Sequence, residues 1–266
     1  MQNQKVGRLF RKLFGAKNNG AVSPVISTVI ISSVLLTILV IAAFISTNLL
    51  EIQISNAEFE QAKTNILLLN KVIQDVALRP GAISSIQFNQ RGGGIGIYKS
   101  AEKINIEHSN GSLLYPFNSS HEFYVIKYRA GSRVSAAETI LAGSPSLIAS
   151  TSDSLGYIRV EAGNGIWIAL DYLRVRVAVT TLVVGDTQYN RVDIFIIRLE
   201  MGSVSGSGTV TIKVQNMGIA TKTCLLGNGD AITVRRTGQQ SEELVLSGSS
   251  NRIVCVTEAL IRVSIS

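Results

Sequence analysis

The stretch NNGAVSPVISTVIISSVLLTILVIAAFISTNLL, residues 18–50, decides the fold, because it carries no charged side chain between Lys17 and Glu51. A bilayer core about 30 Å thick is crossed by roughly 20 apolar helical residues, and this segment contains enough of them. The apolar part of a secretory signal spans only about 7–15 residues, so the segment is too long for a simple cleaved signal of that kind. Ser23 can cap a helix and Pro24 suits its first turn. We therefore predict a membrane-spanning helix that starts at these two residues.

The positive charge of the chain is concentrated in front of this helix. The formal net charge is +7, and it falls to +2 without residues 1–20, which hold five of the 25 Lys and Arg and none of the 18 Asp and Glu. Positive residues beside an apolar helix stay on the cytoplasmic side of a membrane. We therefore expect everything after Leu50 to lie outside, and we expect no nucleic-acid partner. Residues 1–20 themselves either lie along the inner membrane surface or form a solvated basic tail.

The junction between the basic segment and the helix resembles a known processing site. The sequence KNNGAVSPVI, Lys17–Ile26, is similar to the class III signal peptide of archaeal type IV pilins. In that family a short basic leader ends in Gly or Ala, and a membrane peptidase cuts before the apolar helix. The resemblance implies that residues 1–20 are a leader peptide, that cleavage falls between Gly20 and Ala21, and that the mature chain begins AVSPVI.

The junction departs from the usual family pattern at two positions. Asn18 and Asn19 stand where basic residues are typical, so the nearest positive charge is Lys17. Val25 occupies the fifth mature position, as is usual for the archaeal group, where bacterial pilins carry glutamate. An uncleaved signal anchor is the alternative interpretation.

The pilin resemblance implies a structural subunit of a type IV pilus-like surface filament that serves adhesion. Its partners are then further copies in a homopolymer or a mixed pilus, the leader peptidase, the pilus assembly platform and, before assembly, the membrane. The precursor is expected in the membrane and the assembled subunit outside the cell. The alternative is a monomeric, membrane-anchored extracellular binding protein, adhesin or S-layer accessory protein. The residues expected in the filament core are Val25, Ile26, Val29, Ile30, Ile31, Val34, Leu35, Leu36, Ile38, Leu39 and Ile41.

The helix is predicted to continue beyond the apolar segment 22–50. Residues 51–78 contain neither Pro nor Gly, and Pro80-Gly81 ends the pattern, so the whole helix is predicted over 21–79. Apolar and small residues recur there at spacings of three and four, which is typical of a packing seam. The seam packs either on the chain's own head, on neighbouring helices, or on both. Its members are Ile52, Ser55, Phe59, Ala62, Ile66, Leu69, Ile73 and Val76.

Beyond Pro80 the chain has the pattern of a β protein. Short runs of β-branched and aromatic residues alternate with Gly, Asn and Ser. Asn110-Gly111 and Asn164-Gly165 are hairpin sequences, because a type I′ turn needs positive φ at two residues. A longer hairpin is predicted around Gly185-Asp186. The fold class is therefore α+β, with a long hydrophobic N-terminal helix followed by a sandwich-like, β-rich globular head.

The head is predicted to have two parts. Residues 81–201 form a β-rich domain, and the run GSVSGSG at 202–208 marks a boundary or a long loop. Residues 209–266 supply either the closing strands of one large sandwich or a second small sandwich. A fragment 81–266 is expected to fold alone as a β-rich monomer, unless the helix completes its core.

Candidate modifications follow from the predicted extracellular location. Cys224 and Cys255 lie in strand-like surroundings, and an oxidising compartment permits a disulfide between them, with two buried free thiols as the alternative. Asn110 and Asn118 each begin an Asn-X-Ser sequence in a turn-like stretch, so both are candidate N-glycosylation sites.

The sequence offers no pattern for catalysis, and we predict a protein that is not an enzyme. No metal-binding spacing, nucleophile elbow or phosphate-binding loop occurs, so no cofactor, metal site or catalytic residue is assigned. His108 and His121 are predicted to be surface or strand-edge residues. Aromatic residues make up only 6% of the chain, so no aromatic binding platform is expected, and Trp167 is predicted to pack in the core.

Overall fold

The computed structural model describes residues 24–90, 92–109, 111–184, 187–227, 231–238, 241–244 and 251–266. Within these residues there is a single helix, α1, which spans Pro24–Ala77 and is 54 residues long. The strands that follow it confirm the α+β fold class and the order of helix before β-rich head. Ser23, the leader 1–20 and the junction of Gly20 with Ala21 lie outside the described residues.

The strands of the head are short at first and long towards the C-terminal part of the chain. They are β1 (Ile83–Gln90), β2 (Gly94–Lys99), β3 (Ile104–His108), β4 (Leu113–Tyr115), β5 (Tyr124–Arg129), β6 (Thr139–Ala142), β7 (Ile148–Ala149), β8 (Tyr157–Gly163), β9 (Gly165–Asp171), β10 (Val175–Val184), β11 (Thr187–Val204), β12 (Gly208–Leu226), β13 (Ile232–Arg236), β14 (Ser241–Leu244) and β15 (Asn251–Ile265).

These strands form three sheets. The central sheet has the order β1-β12-β15-β11-β10-β7, the outer sheet has the order β2-β5-β9-β8-β6, and the small sheet has the order β14-β13-β3-β4. Neighbouring strands are antiparallel except for the pairs β11–β15 and β10–β7, which are parallel. The predicted hairpins β3–β4, β8–β9 and β10–β11 are all present.

Two hydrophobic cores lie on opposite faces of the central sheet, because successive side chains of a strand alternate between its faces. The helix-side core joins the second half of α1, the outer sheet and one face of the central sheet, including Ile197 and Ile261. The small-sheet core joins the small sheet to the other face, including Ile196 and Val254. Both β11 and β15 contribute to both cores.

The C-terminal part of the head is not a separate sandwich. β12 pairs along its first half with β1, β15 pairs with β11 along most of its length, and β13 pairs with β3. Residues 209–266 therefore complete sheets whose other strands come from 81–201. At 202–208, where a boundary or a long loop was predicted, β11 runs to Val204 and β12 starts at Gly208, so three residues connect the two strands.

The helix seam packs on the head from Phe59 onwards. Its buried members are Phe59, Ala62, Ile66, Leu69, Ile73 and Val76, whereas Ile52 is exposed and Ser55 is only partly covered. The chain divides into two compact units, one up to Glu51 and one from Ile52 to Ser266. The second half of the helix is thus part of the head's core. A fragment 81–266, which lacks this half, would therefore lack part of its interior.

The helix ends at Ala77, slightly before the predicted end. Its last carbonyl groups accept hydrogen bonds from a residue of the central sheet. The buried side chain of Asn216 donates from Nδ2 to the carbonyl oxygens of Val76 at 2.9 Å and Ala77 at 3.2 Å. Helix ends leave such carbonyls without intrahelical donors. Asn216 therefore fixes the end of α1 to β12.

Candidate assembly and binding surfaces

The first half of α1 exposes its apolar side chains. An 18-residue window of the helix has a mean hydropathy of 2.8, and none of that window is buried. By length and composition the helix can cross a membrane. The predicted filament-core residues are all exposed: Val25, Ile26, Val29, Ile30, Ile31, Val34, Leu35, Leu36, Ile38, Leu39 and Ile41.

This apolar surface surrounds the helix. Val29, Ile30 and Ile31 are consecutive and all exposed, and consecutive helical residues point about 100° apart. Several hydroxyl groups in the segment are bonded to the helix itself: Ser33 Oγ donates to the carbonyl of Ile30 at 2.8 Å, and Thr37 Oγ1 to that of Ser33 at 2.9 Å. The surface is therefore suited to lipid or to other apolar helices on all sides.

The second half of α1 has a polar face and a buried one. Lys63 Nζ lies 2.6 Å from Glu60 Oε1 on the exposed side. On the buried side Asn70 accepts a 2.7 Å hydrogen bond at Oδ1 from the hydroxyl of Tyr172, and its Nδ2 donates to Ser154 at 2.8 Å. This half is an ordinary surface helix of a globular domain.

The outward face of the outer sheet carries aromatic rings beside arginines. The Tyr98 and Trp167 rings meet edge to face with centroids 6.0 Å apart, and the Arg129 guanidinium lies 5.5 Å from the centre of the Trp167 ring. Arg159 lies 5.0 Å from the centre of the Tyr157 ring on the same face. Trp167 is half-buried on this surface, so its predicted place in the core is wrong.

The acids of this face are neutralised by cations. Glu161 lies 2.9 Å from Lys127 Nζ and 2.6 Å from an Arg159 nitrogen, while Asp171 lies 2.7 Å from another Arg159 nitrogen. Burial alone raises the pKa of Glu161, but Lys127 and Arg159 outweigh that effect and hold it below its usual value. Both carboxylates are thus paired with cations.

Two buried polar groups organise the loops around the sheets. Arg174 is almost fully buried, and it donates to the carbonyls of Ser146 at 2.6 Å and Ser154 at 2.7 Å and pairs with Asp153 at 2.8 Å. The hydrogen bond from Arg174 holds the pKa of Asp153 below its usual value, although partial burial opposes it. This arginine therefore fixes the segment between β6 and β8.

The second buried polar group is a cluster around Glu258. Its carboxylate pairs with Arg198 at 3.1 Å and lies 3.6 Å from His121 Nδ1. Burial and then Arg198 lower the pKa of His121, while Glu258 opposes them. Burial is also the main reason that the pKa of Tyr115, beside Glu258, is raised. His121 is therefore mostly covered, contrary to its predicted surface position.

The two cysteines do not form the predicted disulfide. In the antiparallel register of β12 and β15, Cys224 faces Val254 and Thr223 faces Cys255. Successive strand residues point to opposite faces, so the two sulfur atoms lie on opposite sides of the sheet. Both thiols are free, and burial raises the pKa of Cys224.

One of the two candidate glycosylation sites lies in the described residues. Asn118 is exposed between β4 and β5, and its Oδ1 accepts hydrogen bonds from the backbone N–H of Ser120 at 3.0 Å and from its hydroxyl at 2.9 Å. Asn110 lies outside the described residues. Glycosylation stays a prediction for both.

The described residues contain no group of three or more His, Cys, Asp or Glu placed to hold a metal ion. Comparison with protein families, with curated proteins and with solved structures gives no match for this chain.

Proposed function

We propose that this chain is a structural subunit of an archaeal type IV pilus-like surface filament, assembled through the first half of α1 and serving adhesion. The observation that carries the proposal is the exposed apolar surface around residues 25–50, beside a second half that is seated in its own head. The resemblance of the Lys17–Ile26 junction to class III signal peptides supports the same function.

The physical argument concerns what covers this surface. Fully burying a Val, Leu or Ile side chain stabilises by about 1.5–3 kcal/mol, so leaving many of them in water is strongly unfavourable. In the precursor, lipid covers all sides of residues 25–50. After export only the same segment of neighbouring subunits offers a matching apolar surface, which favours a bundle of these helices along a filament axis.

Processing by a leader peptidase prepares this transfer. The five basic residues of the leader hold the precursor with its N-terminus inside. Their removal at Gly20 leaves a helix whose start carries no retained positive side chain, and the pilus assembly platform then moves it from membrane to filament.

The second candidate function is a monomeric, membrane-anchored extracellular binding protein, such as an adhesin or S-layer accessory protein. The aromatic and arginine-bearing face of the outer sheet favours it, because such a surface is suited to binding a ligand without any filament.

The deciding experiment is electron microscopy of material sheared from the surface of producing cells, with mass spectrometry to identify the subunit. Filaments that contain this chain, beginning at Ala21, support the proposal. A chain that is processed at Gly20 yet remains monomeric in detergent, with no filament containing it, favours the anchored binding protein instead. Blocking the cleavage with Gly20→Val is expected to leave a longer precursor in the membrane and no filaments.

A charge placed in the apolar surface tests the role of the helix. Ile30→Asp is expected to abolish filaments, because an unpaired carboxylate is very unfavourable in an apolar bundle. Ile140→Asp in β6 is the matched control, since Ile140 is 50% exposed and Ile30 54% exposed. Filaments should persist in the control. Membrane fractionation must first show that the Ile30 variant is inserted, and filaments formed by an inserted Ile30→Asp subunit would contradict the proposal.

A further inference from the structure

On the outward face of the outer sheet, the pairing of the strands places particular side chains next to one another. Residues that face each other across antiparallel strands share one side of a sheet. Gly94 faces Arg129, and Arg129 faces Trp167, which in turn faces Glu161. One row across the sheet therefore presents a glycine, a guanidinium, an indole and a carboxylate in sequence.

Glycine at one end of this row leaves free space beside Arg129. A Cβ atom on Gly94 would meet no atom within 4 Å, so the space beside Arg129 is empty. A Cβ on Gly96 would lie 2.9 Å from Cε2 of Tyr98, which shows that the tyrosine ring lies across the bare backbone of its own strand. Tyr98 is nevertheless 44% exposed. The ring therefore forms a flat, accessible wall beside the open space.

An open cleft of about 550 Å³ lies there, lined by Gly94, Tyr98, Arg129, Gly131, Ser132 and Gly165. A second cleft of about 500 Å³ continues on the other side of Tyr98 and Trp167. In the second cleft, Lys127 and Arg159 are bound to carboxylates. In the first, no carboxylate of the described part of the chain lies within ion-pair distance of Arg129, which is exposed and stacked on Trp167.

We propose that the first cleft, lined by Tyr98 and by the Arg129 that packs on Trp167, binds an acidic saccharide, a pyranose ring that carries a carboxylate. The guanidinium of Arg129 presents a planar fork of donors that matches a carboxylate in two parallel hydrogen bonds. Stacking on the indole holds that fork in place and leaves its edge free. The exposed ring of Tyr98 offers an apolar face of the size of a sugar ring.

The lining favours a saccharide over an acidic peptide. A peptide side chain gains affinity from enclosed apolar pockets, whereas this cleft is open, and its apolar members Ile95, Ala130, Val134 and Ile166 lie among glycine backbone and Ser132. Backbone amides and hydroxyls are suited to the many hydroxyl groups of a sugar. The site is independent of filament formation, because every group that forms it belongs to one head.

The test is isothermal titration of the full chain with tetragalacturonate. The chain is held in a zwitterionic detergent, because the sugar headgroup of a maltoside would compete for the cleft. Maltotetraose serves as the neutral saccharide and hexaglutamate as the acidic peptide. Tetragalacturonate is expected to bind, to weaken as salt is added, and to bind at least about tenfold more tightly than either control.

Variants assign the binding to this cleft. Arg129→Gln and Tyr98→Ala are each expected to weaken tetragalacturonate binding by about tenfold or more, and Arg129→Lys to restore only part of the loss. Arg191→Gln is the matched control, an exposed arginine of β11 that lies outside the cleft, and it should change binding by less than about twofold. Thermal unfolding of each variant checks that the head is folded.

Three results would overturn the proposal. One is the absence of tetragalacturonate binding up to about 10 mM. Another is binding that Arg129→Gln and Tyr98→Ala leave unchanged. The third is equal or tighter binding of hexaglutamate or of maltotetraose with the same dependence on these residues. Absence of filaments from cells would not affect any of these measurements, so this proposal and the proposed function fail separately.

Discussion

The two halves of α1 are similar in length and helical throughout, yet their hydrophobic residues are distributed differently. In the first half, apolar side chains occur on every side and are exposed. In the second half they form a stripe at spacings of three and four that is buried in the head, while charged residues such as Glu60 and Lys63 occupy the other side. The number of apolar residues matters less than their arrangement around the helix.

This difference indicates what each half requires. A stripe needs a partner on one side, which one folded head can supply. A fully apolar surface needs partners all around, which one head cannot supply. The second half is therefore stabilised within its own chain, and the first half requires lipid or other apolar helices around it. The experiments below test this division, beginning with the largest expected effect.

Removing the second half of the helix is expected to unfold the head. A fragment 81–266 lacks six buried side chains of the seam. Five of them are larger than alanine and are each worth about 1.5–3 kcal/mol, and this loss is comparable with the whole stability of a typical domain. A fragment 52–266 retains them and should fold as a monomer. Circular dichroism and size-exclusion chromatography compare the two. A well-folded monomeric 81–266 would show that the helix is dispensable for the core.

Single truncations should separate the two halves. Ile66→Ala in the fully buried seam is expected to destabilise the head by about 2–5 kcal/mol, because it leaves a cavity. Leu35→Ala, in the exposed apolar half, is the matched control and should leave the unfolding of the head unchanged. Urea unfolding of the detergent-held chain measures both. Equal destabilisation by the two variants would contradict the division.

The connection of the helix end to the central sheet should have an intermediate effect. Asn216→Ala leaves the carbonyls of Val76 and Ala77 without their side-chain donor, which should cost about 1–3 kcal/mol. Asn65→Ala is the control, since Asn65 is only half-buried on the same helix and makes a long, 3.4 Å hydrogen bond with the Gln87 carbonyl. The control is expected to cost less than about 0.5 kcal/mol. A similar loss in both would mean that Asn216 does not anchor α1.

The smallest effect is a dependence of head stability on pH. Because the pKa of His121 is lowered in the fold by burial and by Arg198, the unfolded chain binds the proton more readily. This contribution to stability is present above the ordinary histidine pKa of about 6.5 and is lost as the pH falls through and below it. Melting temperatures between about pH 7.5 and pH 5 should therefore decline.

Replacing His121 tests whether this residue causes the decline in melting temperature. His121→Gln should flatten the slope, whereas His108→Gln, on β3, should retain it. Glu258 and Arg198 face His121 from the central sheet, so they remain in both variants. A slope that is unchanged in His121→Gln would show that another group titrates in this range.

The sequence was sufficient to predict the helix, its fully apolar first half and its amphipathic second half, because all three are local patterns. The hairpins at Asn110-Gly111 and Asn164-Gly165 were also predictable, since their turn residues lie within a few positions of each other. The helix boundary was off by one or two residues at its C-terminal end. There the partner of the helix is Asn216, which no local pattern around Ala77 reveals.

What the sequence did not predict depends on strand register. Cys224 and Cys255 lie on neighbouring strands, yet a register offset of one residue points them to opposite faces. Trp167 joins Tyr98 and Arg129 on an outward face only because β2, β5 and β9 pair as they do. With aromatic residues so few, composition argued against a binding platform. Two of them, Tyr98 and Trp167, nevertheless line one cleft.

The position of β15 has a consequence for the biosynthesis of the protein. This strand lies between β12 and β11 and fills part of both cores, yet it is made from residues 251–265. Until these residues are available, β11 and β12 cannot be joined in the one sheet that both cores need. The head is therefore expected to stay unfinished, with its strands accessible to chaperones and proteases, until residues 251–265 have been synthesised and have paired.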